Sequence, residues 1–78
     1  MKSESRDRIL KILEKLTVER AKYFDKHEKL NSEGLKLLKI VIREVLKTNP
    51  SMGKVVRKVL RSRTYESIIT LYERLRED

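Results

Sequence analysis

The chain of 78 residues contains no cysteine and a single histidine, which excludes several kinds of chemistry. Without cysteine there is no disulfide framework, no thiol nucleophile and no thiolate ligand for a metal. His27 alone cannot form a histidine-based catalytic triad or a multi-histidine metal site, even with Asp25 and Glu28 nearby. No catalytic motif is recognisable elsewhere, so the sequence predicts a protein that is not an enzyme and has no cofactor or metal.

Long hydrophobic runs are also absent, since apolar residues occur in groups of two or three at most. A membrane-spanning helix needs about 20 mainly apolar residues, so no membrane insertion is expected. The N-terminal MKSESRDR lacks the apolar segment of a signal peptide. These features favour a cytoplasmic location. The lack of Gln and Trp, with abundant Lys, Arg, Glu, Ile and Leu, gives a thermophile-like composition.

The net charge of +8 comes from 20 basic and 12 acidic residues, and it is unevenly distributed. Residues 1–30 have nine basic and six acidic side chains, and residues 31–49 have four and two. Residues 50–64 have five basic side chains and no acidic one, whereas residues 65–78 have two basic and four acidic. A local surplus of this kind favours a partner with a negative surface.

The stretch Leu35–Leu46 has the strongest hydrophobic pattern, with eight apolar residues among its twelve positions. On a helix the apolar residues cover most of the circumference and leave one thin polar stripe, formed by Lys36, Lys39 and Arg43. A helix of that kind must be covered by neighbouring helices to be stable in water. We therefore predict an all-α fold, a small bundle of three to four helices around a central helix at about 33–48. The chain is expected to be a single domain over residues 1–78.

Three further helices are predicted by apolar stripes and by capping residues, at about 4–29, 52–61 and 65–76. A single continuous helix over 52–76 remains an alternative. The first helix would be roughly 40 Å long and the central one nearer 24 Å, so the first must overhang, bend or break around residues 17–29. If it overhangs, its exposed apolar residues would form a partner interface. Those residues are Tyr23, Phe24 and Leu30.

The strongest functional signal is a group of basic residues in and just after the third helix. It consists of Lys54, Arg57, Lys58, Arg61 and Arg63. No acidic residue lies within this stretch to pair with them, and like charges at i, i+4 destabilise a helix. The pattern favours contact with a polyanion or an acidic protein, and a solvated basic face is the alternative.

The helices at 35–47, 54–61 and 65–76, joined by tight turns, resemble a helix-turn-helix unit over about half of the chain. That resemblance implies DNA binding, with the last helix in the major groove. The chain departs from the pattern in two ways. Arg61-Ser62-Arg63 replaces the usual glycine turn, and the C-terminal segment 65–78, which includes the last helix, is net acidic.

The sequence thus predicts a non-catalytic basic binding module or accessory subunit. Its partner would be DNA or RNA, bound mainly through the phosphate backbone, or a larger protein of a nucleic-acid-processing complex. The alternative is a protein–protein interaction module, either a homodimer or a small subunit that stabilises a larger protein.

Overall fold

The computed structural model of the chain describes residues 3–77, and the fold is all-α, as the sequence predicts. In chain order the elements are α1 (Ser3–Val18), α2 (Arg20–Tyr23), α3 (Ser32–Thr48), a 3-10 turn (Pro50–Met52), α4 (Gly53–Ser62) and α5 (Tyr65–Glu77). Over residues 3–77 there is no β-strand, only two isolated β-bridges. No helix in this range is both long and apolar enough to cross a membrane.

The helix predicted over residues 4–29 is wrong in its last part, because the chain leaves the helical conformation twice. α1 ends at Val18, α2 adds one short turn, and Phe24 is already extended, with φ −119° and ψ 144°. The Asp25 carboxylate then accepts hydrogen bonds from the backbone N–H groups two and four residues later, at 2.8 and 3.1 Å. Short acidic side chains compete in this way with helical hydrogen bonds.

The loop after α2 ties this part of the chain to the junction between α4 and α5. Phe24 and Leu30 pair as an isolated antiparallel bridge, and Glu28 at the turn has a left-handed backbone, with φ 61°. The Leu30 N–H donates to the carbonyl of Arg63 at 2.8 Å, and the Tyr65 N–H donates to the carbonyl of Glu28 at 2.9 Å. These bonds satisfy backbone groups that have no partner within a helix.

The predicted interface residues Tyr23, Phe24 and Leu30 lie in the core of the chain itself, so the premise of that prediction is wrong. Their exposures are 4%, 7% and 4%. The Phe24 ring meets the Tyr65 ring edge-on, with centroids 5.3 Å apart. Leu30 packs on Gly34, where an added Cβ would lie 2.5 Å from Leu30 Cδ2. The break after α1 folds these residues back onto the core instead of leaving them overhanging.

α3 has the extent predicted for the central helix, 33–48, to within one residue. The Asn31 side chain caps it by accepting a hydrogen bond from the Gly34 N–H at 2.9 Å. At its other end the chain turns at Asn49 into the 3-10 turn that begins with Pro50, a residue that disfavours helical geometry in the residue before it. Local sequence therefore determines both ends of α3.

The apolar residues of α3 are covered unevenly. Leu38, Val41 and Val45 are fully buried, whereas Ile42 is only partly buried and Ile40 is 46% exposed. α3 packs against α1, α2 and α4 but keeps one open side. The expectation that neighbours enclose this helix all round is therefore wrong, although the bundle that it predicts is present.

Residues 53–77 form two helices, so the alternative of one continuous helix over 52–76 is wrong. Arg63 takes the left-handed conformation, φ 52° and ψ 28°, at the end of α4. Thr64 and Ser67 then cap α5 reciprocally. The Thr64 N–H donates to Ser67 Oγ at 3.1 Å, and the Ser67 N–H donates to Thr64 Oγ1 at 3.2 Å.

The helices share one hydrophobic core, to which each of them contributes. α1 packs against α3 and α5, and α4 packs against the same two helices from the other side. Among the side chains described, no polar or charged residue is buried. The buried hydrophobic residues are Ile9, Leu13, Leu16, Tyr23, Phe24, Leu30, Leu38, Val41, Val45, Met52, Val56, Val59, Ile68, Leu71 and Leu75.

Candidate nucleic-acid interface

The predicted basic stripe lies along the side of α4 that faces away from the core. Val56 and Val59 hold the opposite side of the helix in the core. A rigid, well-packed helix therefore presents the cations to solvent. The four exposed cations, at i, i+3, i+4 and i+7, are Lys54, Arg57, Lys58 and Arg61.

None of these cations forms an ion pair with a described carboxylate. The ion pairs among the described residues lie elsewhere and join Arg20 to Glu28, Lys22 to Glu19, and Lys36 to Glu33. α4 itself contains no acidic residue. The positive charge of this face is therefore left uncompensated by its own helix, which keeps it available for an external anion.

Arg63, the fifth predicted residue, has a different setting from the other four. It follows α4 in the left-handed conformation and is partly buried. Its N–H donates to the carbonyl of Val59 at 2.8 Å, and its carbonyl accepts from the Leu30 N–H at 2.8 Å. The backbone of Arg63 thus ends α4 and anchors the preceding loop, and Arg63 is not part of the exposed row on α4.

A groove of about 340 Å³ lies between α4 and α5, beside the basic face. Lys58 of α4 and Arg74 of α5 both line it, together with the hydroxyl residues Ser67 and Thr70 and the apolar Val59. Arg74 is a cation that the sequence pattern does not connect with α4. Only the packing of the two helices brings it to this side of the molecule.

Sequence reasoning misses a second row of cations on the outside of α3. Lys39, Arg43 and Lys47 lie at i, i+4 and i+8 and are exposed. Lys36, beside this row, pairs with Glu33 at 3.6 Å. The spacing is visible in the sequence, but there it only marks the polar stripe of a helix. Its position next to the α4 face follows from the packing of α3 against α4.

The turn that contains the single histidine has a structural role. His27 is exposed, and its backbone N–H donates to the Asp25 carboxylate. Hydrogen bonds from the backbone N–H groups of Lys29 and His27 lower the pKa of the Asp25 carboxyl. Among the side chains that the structure describes, no group of three or more His, Asp or Glu is placed to hold a metal ion.

The fold and this surface together define a small all-α bundle with a basic face on α4. Comparison with protein-family models, with curated proteins and with solved structures finds no match for this chain.

Proposed function

We propose that this chain is a non-catalytic binding module that contacts nucleic acid through the basic face of α4. The observation that supports the proposal is the row of four exposed cations with no described carboxylate to neutralise them. Keeping like charges at i, i+3 and i+4 costs helix stability, and contact with a polyanion offsets that cost.

The chemistry of the face favours contacts with phosphate over contacts with bases. Lysine and arginine neutralise phosphates and release condensed counterions, and this accounts for most non-specific nucleic-acid binding. Phosphate contacts position a protein on a duplex without reading its sequence. α4 contains no Asn or Gln that could pair with adenine. We therefore expect binding with little sequence preference and a strong dependence on salt.

The test is the double variant Arg57→Glu with Lys58→Glu, measured by titration against DNA over a range of salt concentrations. Each phosphate contact contributes about 0.9 to the slope of log affinity against log salt for double-stranded DNA. Removing two phosphate contacts should lower that slope by about two and should weaken binding to all DNA sequences alike. A matched control is Lys11→Glu with Lys15→Glu, which makes the same change in net charge on the exposed side of α1. The proposal would be contradicted if the wild type does not bind DNA or RNA at low salt, or if the double variant binds with the same affinity and salt slope as the wild type.

A protein–protein interaction module is the second candidate, and one observation on the α1–α5 side favours it. Val18 is 73% exposed and borders a shallow groove that is also lined by Tyr65, Ile69 and Tyr72. Exposed apolar surface of this kind is typical of protein interfaces. Sedimentation of wild type and of Val18→Asp tests self-association, since the charged variant should dissociate a complex formed through this groove.

A further inference from the structure

We infer that the basic face of α4 is one half of a two-helix surface, completed by Lys39, Arg43 and Lys47 of α3, whose ligand is duplex nucleic acid. The inference rests on the proposed function and names its ligand class.

The two helices run antiparallel, because they meet at both ends. At one end the 3-10 turn connects them directly, and Gly53 of α4 lies against Leu46 of α3, where an added Cβ would be 3.9 Å from Leu46 Cδ2. At the other end, the N–H of Leu30, just before α3, donates to the carbonyl of Arg63, just after α4. The two rows of cations therefore run side by side along neighbouring helices.

Helical spacing shows which residues border the line where the two helices meet. Ile42 lies one turn before Leu46, and both are partly buried on the α4 side of α3. Arg43, next to them, is exposed. On α4, the partly buried Leu60 lies about two turns after Gly53 on the same side, and exposed Arg61 follows it. Cations of both helices therefore flank one shallow apolar strip.

The charge of this region supports a common role for the two rows. Residues 31–64 contain nine basic and two acidic residues, which gives a net charge of +7 out of the total of +8. One of the two acidic residues, Glu33, is already paired with Lys36 at the start of α3. Lys39, Arg43 and Lys47 form no ion pair with a described carboxylate. Nearly all of the excess charge is thus on this pair of helices.

The composition of the surface favours a duplex over a single strand. α3 and α4 contain no aromatic residue. Proteins that bind single strands stack bases on aromatic side chains, and this surface offers no such platform. Packed helices lie about 8–10 Å apart. That distance is of the same order as the groove widths of a DNA duplex, about 6 and 12 Å. In the proposed complex, each row of cations follows one of the two phosphate backbones that border a groove.

The experiment compares three double variants that each remove two positive charges from exposed positions. They are Lys39→Gln with Arg43→Gln on α3, Arg57→Gln with Lys58→Gln on α4, and Lys11→Gln with Lys15→Gln on α1. Each is titrated over a range of salt concentrations with a mixed-sequence DNA duplex and with an oligothymidine strand of the same length. Circular dichroism verifies that the helices are retained.

We expect the α3 and α4 variants each to lower the salt slope for the duplex by about 1.8, at about 0.9 per contact. The α1 variant should leave the slope unchanged, and the wild type should bind the single strand more weakly than the duplex. If the α4 variant lowers the slope but the α3 variant behaves like the α1 variant, the two-helix surface is refuted while the proposed function stands.

Three other results would also overturn the inference. If all three variants lower the salt slope for the duplex by the same amount, net charge alone attracts the nucleic acid. A single strand bound as tightly as the duplex would refute the ligand class. No wild-type binding to either probe would remove the proposed function itself, and the inference with it.

Discussion

The α3–α4 side and the α1–α5 side of the molecule share one core but differ in their surfaces. Residues 31–64 have a net charge of +7, which leaves +1 for the rest of the chain. The aromatic residues, in contrast, all lie outside α3 and α4. The four aromatic residues of the chain are Tyr23, Phe24, Tyr65 and Tyr72.

The difference separates what stabilises the fold from what is available for binding. On the other side, aromatic residues make contacts that hold elements together. The Phe24 ring, in the loop after α2, contacts the Tyr65 ring of α5, and the Arg20 guanidinium lies 4.2 Å above the centre of the same Tyr65 ring. α3 and α4 bury aliphatic side chains inward and present their cations outward, and of these only Lys36 is paired with a described carboxylate. Hydrophobic burial depends on area and not on the charge of the opposite face, so one core supports two unlike surfaces.

The largest expected effect concerns the aromatic side. Phe24→Ala should lower the free energy of unfolding by about 3–5 kcal/mol, because it removes a buried ring and leaves a cavity. Urea denaturation measures this loss. Val18→Ala is the control, since Val18 is 73% exposed and its truncation should change stability by less than about 0.5 kcal/mol. Equal effects of the two variants would contradict the placement of Phe24 in the core.

The next effect concerns the core side of α3. Leu38→Ala should cost about 2–5 kcal/mol, because Leu38 is fully buried. Ile42→Ala should cost less, because Ile42 is only partly buried, although the hydrophobic pattern alone predicts a fully buried residue there. Thermal unfolding of both variants measures the difference. A larger loss for Ile42→Ala would show that α3 is enclosed as the pattern suggests.

Gly34 joins the two sides, and its replacement tests how tightly they meet. Gly34→Ala should destabilise by about 1–3 kcal/mol, because the added Cβ would lie 2.9 Å from the Tyr23 carbonyl oxygen and 2.5 Å from Leu30 Cδ2. Alanine is better than glycine by about 1 kcal/mol inside a helix, which acts in the opposite direction. Chemical denaturation measures the net change, and a more stable variant would mean that the loop can move away from α3.

The basic side should gain stability when it loses charge. Arg57→Glu replaces repulsion of Lys54 and Arg61 by attraction, and each i, i+3 or i, i+4 pair contributes about 0.2–0.5 kcal/mol. We expect a gain of about 0.5–1 kcal/mol at low salt that disappears at high salt, where these interactions are screened. Unfolding curves at two salt concentrations measure it. A loss of stability at low salt would mean that Arg57 has a structural partner.

The smallest effect is the pH dependence of the turn at Asp25. Its folded-state pKa is lowered, so the stabilisation by the carboxylate is present above the unfolded pKa of about 3.9. The stabilisation is lost as pH falls through the folded pKa. Asp25→Asn keeps an acceptor oxygen but cannot titrate, so its unfolding free energy should fall less than that of wild type in acid. Identical acid curves for the two proteins would contradict this role.

Local pattern was sufficient to predict most helices and much of the core. The apolar spacing predicts a stripe on α1 formed by Ile9, Ile12, Leu13 and Leu16. All of them are buried except Ile12, which is partly buried. The cap at Asn31 and the break near Arg63 were also recognisable, because these signals involve residues only a few positions apart. The helix predicted over 4–29 ends earlier than its pattern suggests, and of the three outcomes left open for residues 17–29 the structure shows a break. The helical conformation ends at Phe24, and Asp25 then captures backbone N–H groups of the loop that follows.

By itself, the sequence determined the all-α class and the uncompensated charge of α4, because helical periodicity and charge spacing are local properties. Only the tertiary structure decided that Tyr23, Phe24 and Leu30 are buried, and that the α3 cations lie beside those of α4. Both depend on contacts between distant residues, such as the hydrogen bond from Leu30 to Arg63. Such contacts form only when burial of the whole core offsets the entropy of closing the loops between them, and no local pattern contains that information.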